Sequence, residues 1–124
     1  MKENVILNKS YAFAIRIVKL GRYLEEKKAF VLKDQIIGSG TSIGANAEEF
    51  AGASSRKDFM AKLNISYREA RETHFWLRLL RDTGYITKHM AESMLTDCEE
   101  LLKILGSIQK TMRSRMKENS PKTS

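Results

Sequence analysis

The sequence is poor in proline, cysteine and histidine, and these shortages exclude several kinds of protein. One proline and seven glycines in 124 residues are too few for an all-β or doubly wound fold, so long helices are favoured. The single cysteine, Cys98, excludes an internal disulfide, and two distant histidines add too few ligands for a structural zinc site. We therefore expect no metal and no cofactor.

Long uncharged apolar runs are also missing. No stretch approaches the roughly 18 apolar residues that a membrane-spanning helix needs. Lys9, Arg16 and Lys19 interrupt the apolar residues near the amino terminus, and no small-residue cleavage pattern follows them. We expect a soluble, cytoplasmic protein with no membrane partner, and a lone thiol suits that reducing compartment.

Apolar residues recur with helical spacing in four segments, which predicts helices over residues 4–27, 30–53, 55–83 and 87–116. Hydrophobic residues make up 42% of the chain, enough to fill one core. The core-facing stripes of the four helices are Ile6, Phe13, Ile17, Leu20 and Leu24; Leu32, Ile36, Ser39, Ile43, Ala47 and Phe50; Phe59, Leu63, Ser66, Ala70, Thr73, Leu77 and Leu80; and Met94, Cys98, Leu101, Leu105, Ile108 and Met112.

Similar helix lengths and short connections predict an all-α, antiparallel up-down four-helix bundle. The bundle is expected to cover residues 1–116, followed by a disordered basic tail over residues 117–124. Ser55 is the predicted start of the third helix and Gly84 its predicted end, while Thr87 is the predicted N-cap of the fourth. We therefore expect the four helices to form one domain.

Glycines are concentrated in the second predicted helix. Gly38, Gly40 and Gly44 would each cost about 1 kcal/mol relative to alanine in a helix interior, so something must offset that cost. The favoured interpretation is close packing, in which these glycines, Ala45 and Ala47 let another backbone approach. The alternative is a phosphate-cradling loop, although the segment lacks the Gly-Lys-Ser/Thr ending of a P-loop.

Candidate catalytic groups form no recognisable motif. A di-iron bundle uses Glu-x-x-His pairs, and neither His74 nor His89 has a glutamate three residues before it. Cys98 lies in a predicted core stripe, where a thiol has little reason to ionise. We therefore predict that the protein is not an enzyme.

Polar residues beside the core stripe of the second helix form a candidate site of another kind. Ser42, Asn46 and Glu49 recur at steps of four and three on one flank. Candidate partners on the third helix are Arg68, Glu69, Arg71 and Glu72, and Trp76 is a further candidate for an interface. We expect these residues to form a polar network or an interface that fixes register. A small-ligand site is the alternative.

The chain has 22 lysine and arginine residues against 15 aspartate and glutamate residues, which gives a net charge of +7 at pH 7. This excess of positive charge points to an anionic partner. Residues 103–124 contain six basic residues against one acidic residue, and residues 56–81 contain seven against three. A solvated surface is the alternative. Tyr67, Trp76 and Tyr85 could stack on bases, but their spacing favours packing. The candidate nucleic-acid contacts are Arg56, Lys57, Arg68, Arg71, Arg78, Arg81, Arg113, Arg115 and Lys117.

Four segments of the chain resemble a known family. They are SGTSIGANAEE at 39–49, SRKDF at 55–59, SYREARET at 66–73 and WLRLL at 76–80. They resemble the small four-helix-bundle proteins encoded in intervening sequences of bacterial 23S ribosomal RNA. Glu49 departs from the family pattern, because many members have glycine there, so a helix break at that position would be absent or shifted.

The resemblance implies an up-down bundle that assembles as a ring-like homopentamer, with no enzymatic activity assigned. Related members serve as accessory proteins of diversity-generating retroelements and look like basic scaffolds that bind RNA and a reverse transcriptase. The expected partners are therefore further copies of this chain and structured RNA or another nucleic acid, and the alternative is a protein scaffold with a partner protein. Tyr11, Ile37, Trp76 and Leu79 lie off the core stripes and are expected at the contact between copies.

Overall fold

The computed structural model describes residues 2–118, which fold into four α-helices. Each helix packs against the next one along the chain, and the first also packs against the fourth. No strand occurs among the described residues, and the predicted all-α four-helix bundle is confirmed. The helices are α1 (Lys2–Glu26), α2 (Phe30–Ala51), α3 (Arg56–Asp82) and α4 (Lys88–Glu118).

The helix ends lie within two residues of the predicted ones. Ser55 caps α3 by accepting a hydrogen bond from the Asp58 backbone N–H at 3.0 Å, and Thr87 accepts one from the Met90 N–H at 3.1 Å. Gly84 follows α3 with φ of +80°, the left-handed conformation that ends many helices. Residues 117 and 118 continue α4. The rest of the predicted tail, 119–124, lies outside the described residues.

The predicted stripes line the core. All five stripe residues of α1 are buried, and so are nearly all those of the other helices. Leu32, Phe59 and Met112, each at one end of its stripe, are partly buried. The prediction of core residues is therefore confirmed, because helical spacing decides which face of each helix turns inward.

Two glycines of α2 face α1 at close range. A Cβ atom on Gly40 would lie 2.7 Å from the side chain of Ile17, and one on Gly44 would lie 3.3 Å from the Ser10 carbonyl oxygen. A Cβ atom on Gly21 of α1 would likewise overlap the side chain of Ile37, although the sequence did not mark this glycine as important. The absence of side chains at these positions lets the two helices approach, as predicted for Gly40 and Gly44.

The close-packing prediction is wrong for Gly38 and Ala45. Both are exposed, and a Cβ on Gly38 would meet nothing within 4 Å, because these two residues lie on the outer side of α2. Ala47 is buried as expected. The phosphate-loop alternative is wrong as well, because α2 continues as one helix through Ala51. No helix break occurs at Glu49.

Hydroxyl groups link α2 to α3 inside the core. Ser66 donates a hydrogen bond to the Ile43 carbonyl oxygen at 2.8 Å, and the hydroxyls of Thr73 and Ser39 hydrogen-bond to each other at 2.9 Å. Positions 39 and 43 pair with 73 and 66 in reverse order, so the two helices run antiparallel. These buried links satisfy polar groups and set the register of α2 against α3.

Charged groups link α1 to α4 at the surface. Arg16 contacts the Asp97 carboxylate and donates to Ser93 Oγ at 2.8 Å, and Lys9 pairs with Glu100. All the ionic side chains remain partly exposed to solvent. Beside these pairs, a shallow groove between the two helices is lined by Arg16, Lys19, Leu20, Tyr23, Met90 and Met94.

Candidate nucleic-acid interface

Four exposed side chains follow one line on the outer face of α3. Arg68, Arg71, Phe75 and Arg78 are spaced three, four and three residues apart, which places them on one face of the helix. The buried residues of α3 follow a separate stripe with the same spacing, so this line faces solvent. We call these four residues the arginine stripe.

The three arginines of this stripe keep their charges available. No ion pair within residues 2–118 engages any of them. Arg78 donates a long hydrogen bond of 3.4 Å to the His74 carbonyl oxygen, and its guanidinium lies 5.9 Å from the centre of the Phe75 ring. Exposed arginines without carboxylate partners can form bidentate hydrogen bonds with phosphate groups.

Five further candidate cations gather at one end of the bundle. The Gln109 side chain donates to Asn64 Oδ1 at 3.0 Å, and His74 contacts Glu99, so α3 and α4 are antiparallel. The start of α3 therefore lies near the end of α4. The exposed residues brought to this region, which we call the basic end, are Arg56, Lys57, Arg113, Arg115 and Lys117.

Sequence reasoning did not select Lys103 and Lys110 as contacts. Glu99, Lys103 and Lys110 are spaced four and seven residues apart, so they share a flank of α4, and the contact between Glu99 and His74 shows that this flank borders α3. Both lysines are exposed. They extend the positive surface between the arginine stripe and the basic end.

Phe75 is the other residue that sequence reasoning missed. Its side chain is 47% exposed although it is large and apolar, and the ring meets Trp76 edge-on with 5.0 Å between ring centres. The sequence does contain a signal for this exposed ring, because Phe75 lies off the core stripe, four residues after Arg71 and three before Arg78. An exposed aromatic ring between two cations is typical of nucleic-acid-binding surfaces.

Arg81 differs from the other candidate cations. Its Nε lies 2.8 Å from Asp82 Oδ1, and the side chain is partly buried. The hydrogen bond with Asp82 raises the pKa of Arg81 and lowers the pKa of Asp82. Because the neighbouring carboxylate offsets its charge, Arg81 contributes less to an anion-binding surface than the arginine stripe does.

The predicted polar network does not form between α2 and α3. Ser42 donates to the Gly38 carbonyl oxygen at 2.6 Å, and the Asn46 amide donates to the Ser42 carbonyl oxygen at 2.9 Å, both within α2. Glu49 is exposed. Serine and asparagine in a helix reach their own backbone carbonyls readily, and this local bonding replaces the expected cross-helix contacts.

Two of the α3 candidates for that network or interface, Glu69 and Trp76, are partly buried. Burial raises the pKa of Glu69, the Glu72 carboxylate raises it further, and Arg68 opposes both effects. The buried Nε1 of Trp76 has no hydrogen-bond partner among the described residues. A buried donor without an acceptor costs stability, so this nitrogen is a local weakness of the packing around Trp76.

The single cysteine of the chain lies in the core of the bundle. Cys98 is fully buried and its S–H donates to the Ala70 carbonyl oxygen at 3.3 Å. Burial, with smaller effects from Glu99 and Asp97, raises the pKa of the thiol to about 12, so it stays protonated at neutral pH. In this part of the chain no three histidine, cysteine, aspartate or glutamate side chains converge as metal ligands, and no helix is long and apolar enough to cross a membrane.

The fold and surface define a small all-helical bundle with a basic outer face on α3 and α4. The model of the 23S rRNA-intervening sequence protein family matches residues 2–107. A crystal structure of a protein with unknown function from the S23 ribosomal protein family of Bacteroides thetaiotaomicron is 52% identical, with a TM-score of 0.86 over 89% of this chain and 99% of that chain. No curated protein matches. The chain therefore belongs to the 23S rRNA-intervening sequence protein family.

The family match divides the candidate contacts. The arginine stripe, Lys103 and two residues of the basic end, Arg56 and Lys57, lie inside the matched residues. Lys110 and the other three residues of the basic end lie beyond residue 107. The whole arginine stripe, but only part of the basic end, therefore lies within the segment that matches the family.

Proposed function

We propose that this protein is a non-enzymatic scaffold that binds structured RNA through the basic surface of α3 and α4. The arginine stripe carries the proposal, because it presents three exposed arginines that form no ion pair within residues 2–118. Phosphate contacts of this kind supply most of the affinity in sequence-tolerant nucleic-acid binding. A net charge of +7 adds long-range attraction for RNA.

Self-association is the second part of the proposal. Tyr11, Ile15 and Val18 form an exposed apolar face on α1, with Tyr11 67% exposed. Trp76 and the exposed Val31 provide apolar groups elsewhere on the chain. Two different apolar regions on one subunit suit a head-to-tail contact, which closes into a ring when the rotation between copies allows it. The family resemblance sets the proposed number of copies at five.

Assembly would strengthen RNA binding. Five chains with a net charge of +7 each carry about +35 in one compact particle, and several arginine stripes on one particle can contact one RNA simultaneously. The protein then acts as a platform that gathers or positions RNA. No bond of the RNA needs to be made or broken.

RNA binding across a salt series tests this function. Filter binding with 23S ribosomal RNA fragments and duplex DNA, beginning near 50 mM salt, should give an affinity that falls steeply as salt rises. Replacing Arg68, Arg71 and Arg78 with alanine should weaken binding, and the slope of log affinity against log salt should drop by about 0.7 to 0.9 for each arginine that contacts a phosphate.

A matched control separates a specific surface from overall charge. The triple variant Lys19→Ala, Arg22→Ala and Lys27→Ala removes the same charge from α1 and the turn that follows it. It should bind RNA more tightly than the arginine-stripe variant does. Equal losses in both variants would show that net charge alone attracts RNA, and no binding at 50 mM salt would contradict the proposed function.

The alternative function is a scaffold for an acidic partner protein. The exposed apolar face on α1 favours it, because apolar contacts supply affinity while basic residues steer the encounter. Substituting Tyr11 and Val18 with serine would weaken binding of the acidic partner protein. RNA binding by the isolated subunit would not change, because neither residue carries charge.

A further inference from the structure

We propose that Phe75 stacks on an unpaired base, so that the RNA bound by the arginine stripe is single-stranded at the contact. This inference rests on the proposed RNA-binding function and adds the kind of RNA segment that is recognised. It concerns a loop, bulge or end within a structured RNA. Phe75 is then a contact residue with a role separate from the arginines beside it.

The exposure of Phe75 needs an explanation that the fold does not supply. The ring lies off the buried stripe of α3, and nearly half of the side chain faces solvent. Its edge-on contact with Trp76, at 74° between ring planes, holds the ring in place without stacking the two rings face to face. The ring is therefore both oriented and accessible.

The neighbouring cations point to a nucleic-acid strand. Arg71 lies about one helical turn before Phe75 and Arg78 slightly less than one turn after it, so positive charge flanks the ring along the helix axis. The Arg78 guanidinium lies over the Phe75 ring, 5.9 Å from its centre, and its own plane is a surface that bases also stack on, so a base would use the part of the ring that Arg78 leaves open or the guanidinium itself. A strand that follows this line would place phosphates near the arginines and a base near the ring.

Stacking distinguishes single strands from duplexes. Both faces of a paired base inside a helix are covered by neighbouring bases, whereas an unpaired base can leave its neighbours and stack on an aromatic side chain. Every base has such a face, so the contact tolerates many sequences. The other aromatic candidates fit less well, because Tyr67 and Trp76 pack against the core and Tyr85 lies in the turn after α3.

Binding of two RNA probes by ring variants tests the inference. Fluorescence anisotropy would compare a 12-nucleotide oligouridine with a 12-base-pair RNA duplex, each at several salt concentrations. Phe75→Ala should weaken binding of the single strand by about 5- to 150-fold and leave duplex binding unchanged. The salt slope should also stay unchanged, because no charge is removed.

Two control substitutions separate stacking from general hydrophobicity. Phe75→Trp keeps an aromatic face and should retain single-strand affinity, whereas Phe75→Leu keeps apolar area without the ring and should lose most of it. Circular dichroism and light scattering of each variant check that the helices and the assembly are preserved. A smaller assembly in Phe75→Ala would assign the ring to a contact between subunits and overturn the inference.

Failure of the inference can be distinguished from failure of the proposed function. Equal single-strand affinities for Phe75→Ala and Phe75→Trp would overturn stacking, even when loss of the three arginines still weakens RNA binding. If the unmodified protein binds neither probe near 50 mM salt, the proposed function itself fails.

Discussion

The contact between α2 and α3 and the contact between α1 and α4 use opposite physical means. Buried hydroxyls of Ser39, Ser66 and Thr73 join α2 and α3 within the core. Partly exposed ion pairs, among them that of Arg16 with Asp97, join α1 and α4 beside a shallow groove. Burial makes polar links strong and specific, whereas water and salt weaken exposed pairs. We therefore expect the contact between α2 and α3 to be rigid and the contact between α1 and α4 to shift more easily.

The largest expected effect is loss of a core side chain of α3. Leu63 is fully buried, so Leu63→Ala should lower the free energy of unfolding by about 2–5 kcal/mol through lost burial and a residual cavity. Urea denaturation followed by circular dichroism measures this change. Val18→Ala on the exposed face of α1 is the control, and an equal loss there would contradict the described core.

The buried hydroxyl pair should have an intermediate effect. Thr73→Val removes the partner of the Ser39 hydroxyl and should cost about 1–3 kcal/mol, because a buried polar group loses its hydrogen bond. Adding Ser39→Ala to this variant should recover part of that loss. Denaturation of the two single variants and of the double variant completes a double-mutant cycle. Strictly additive losses in the free energy of unfolding would show that the two hydroxyls do not interact.

The ion pairs between α1 and α4 should contribute less. Asp97→Asn should lower the free energy of unfolding by about 0.2–1 kcal/mol at low salt, and the loss should shrink as salt is added. The Thr73→Val loss should change little over the same salt range. An Asp97→Asn loss as large as that of Thr73→Val would remove the distinction between the two contacts.

The smallest expected effect concerns pH and Glu69. Its pKa is raised in the folded protein, mainly by burial, so the folded state binds this proton more tightly than the unfolded chain does. Stability therefore rises as pH falls through the raised pKa toward the ordinary value of 4.5, and the charged carboxylate costs stability at neutral pH. Glu69→Gln should be slightly more stable than the parent protein at pH 7, with the difference lost below pH 4.5. Glu48→Gln, on an exposed side chain, is the control for thermal melts across this range.

Local signals in the sequence predicted the fold well. Helical spacing depends only on each segment, so the core stripes from Ile6 to Ile108 could be predicted without knowledge of their partners. The caps at Ser55 and Thr87 also depend on residues three positions away. The choice of family followed from the same segments, since the motif residues lie within the matched range.

Contacts between helices were harder to predict. Spacing put Ser42 and Asn46 on one flank of α2 but could not show that both side chains bond to their own helix. Three glycines of α2 looked equivalent, yet only Gly40 and Gly44 face α1. The candidate cations were selected by charge, and their separation into an arginine stripe and a basic end required the antiparallel packing of α3 on α4.

The glycine contact between α1 and α2 has a consequence for ring closure. Ile17 fills the space above Gly40, so a methyl group there would push the two helices apart. In the proposed ring the apolar face of α1 sets the angle at which one copy meets the next, and a closed ring repeats any error in that angle once per subunit. A displacement too small to unfold one chain would then accumulate around the circle and change the number of copies or leave the ring open.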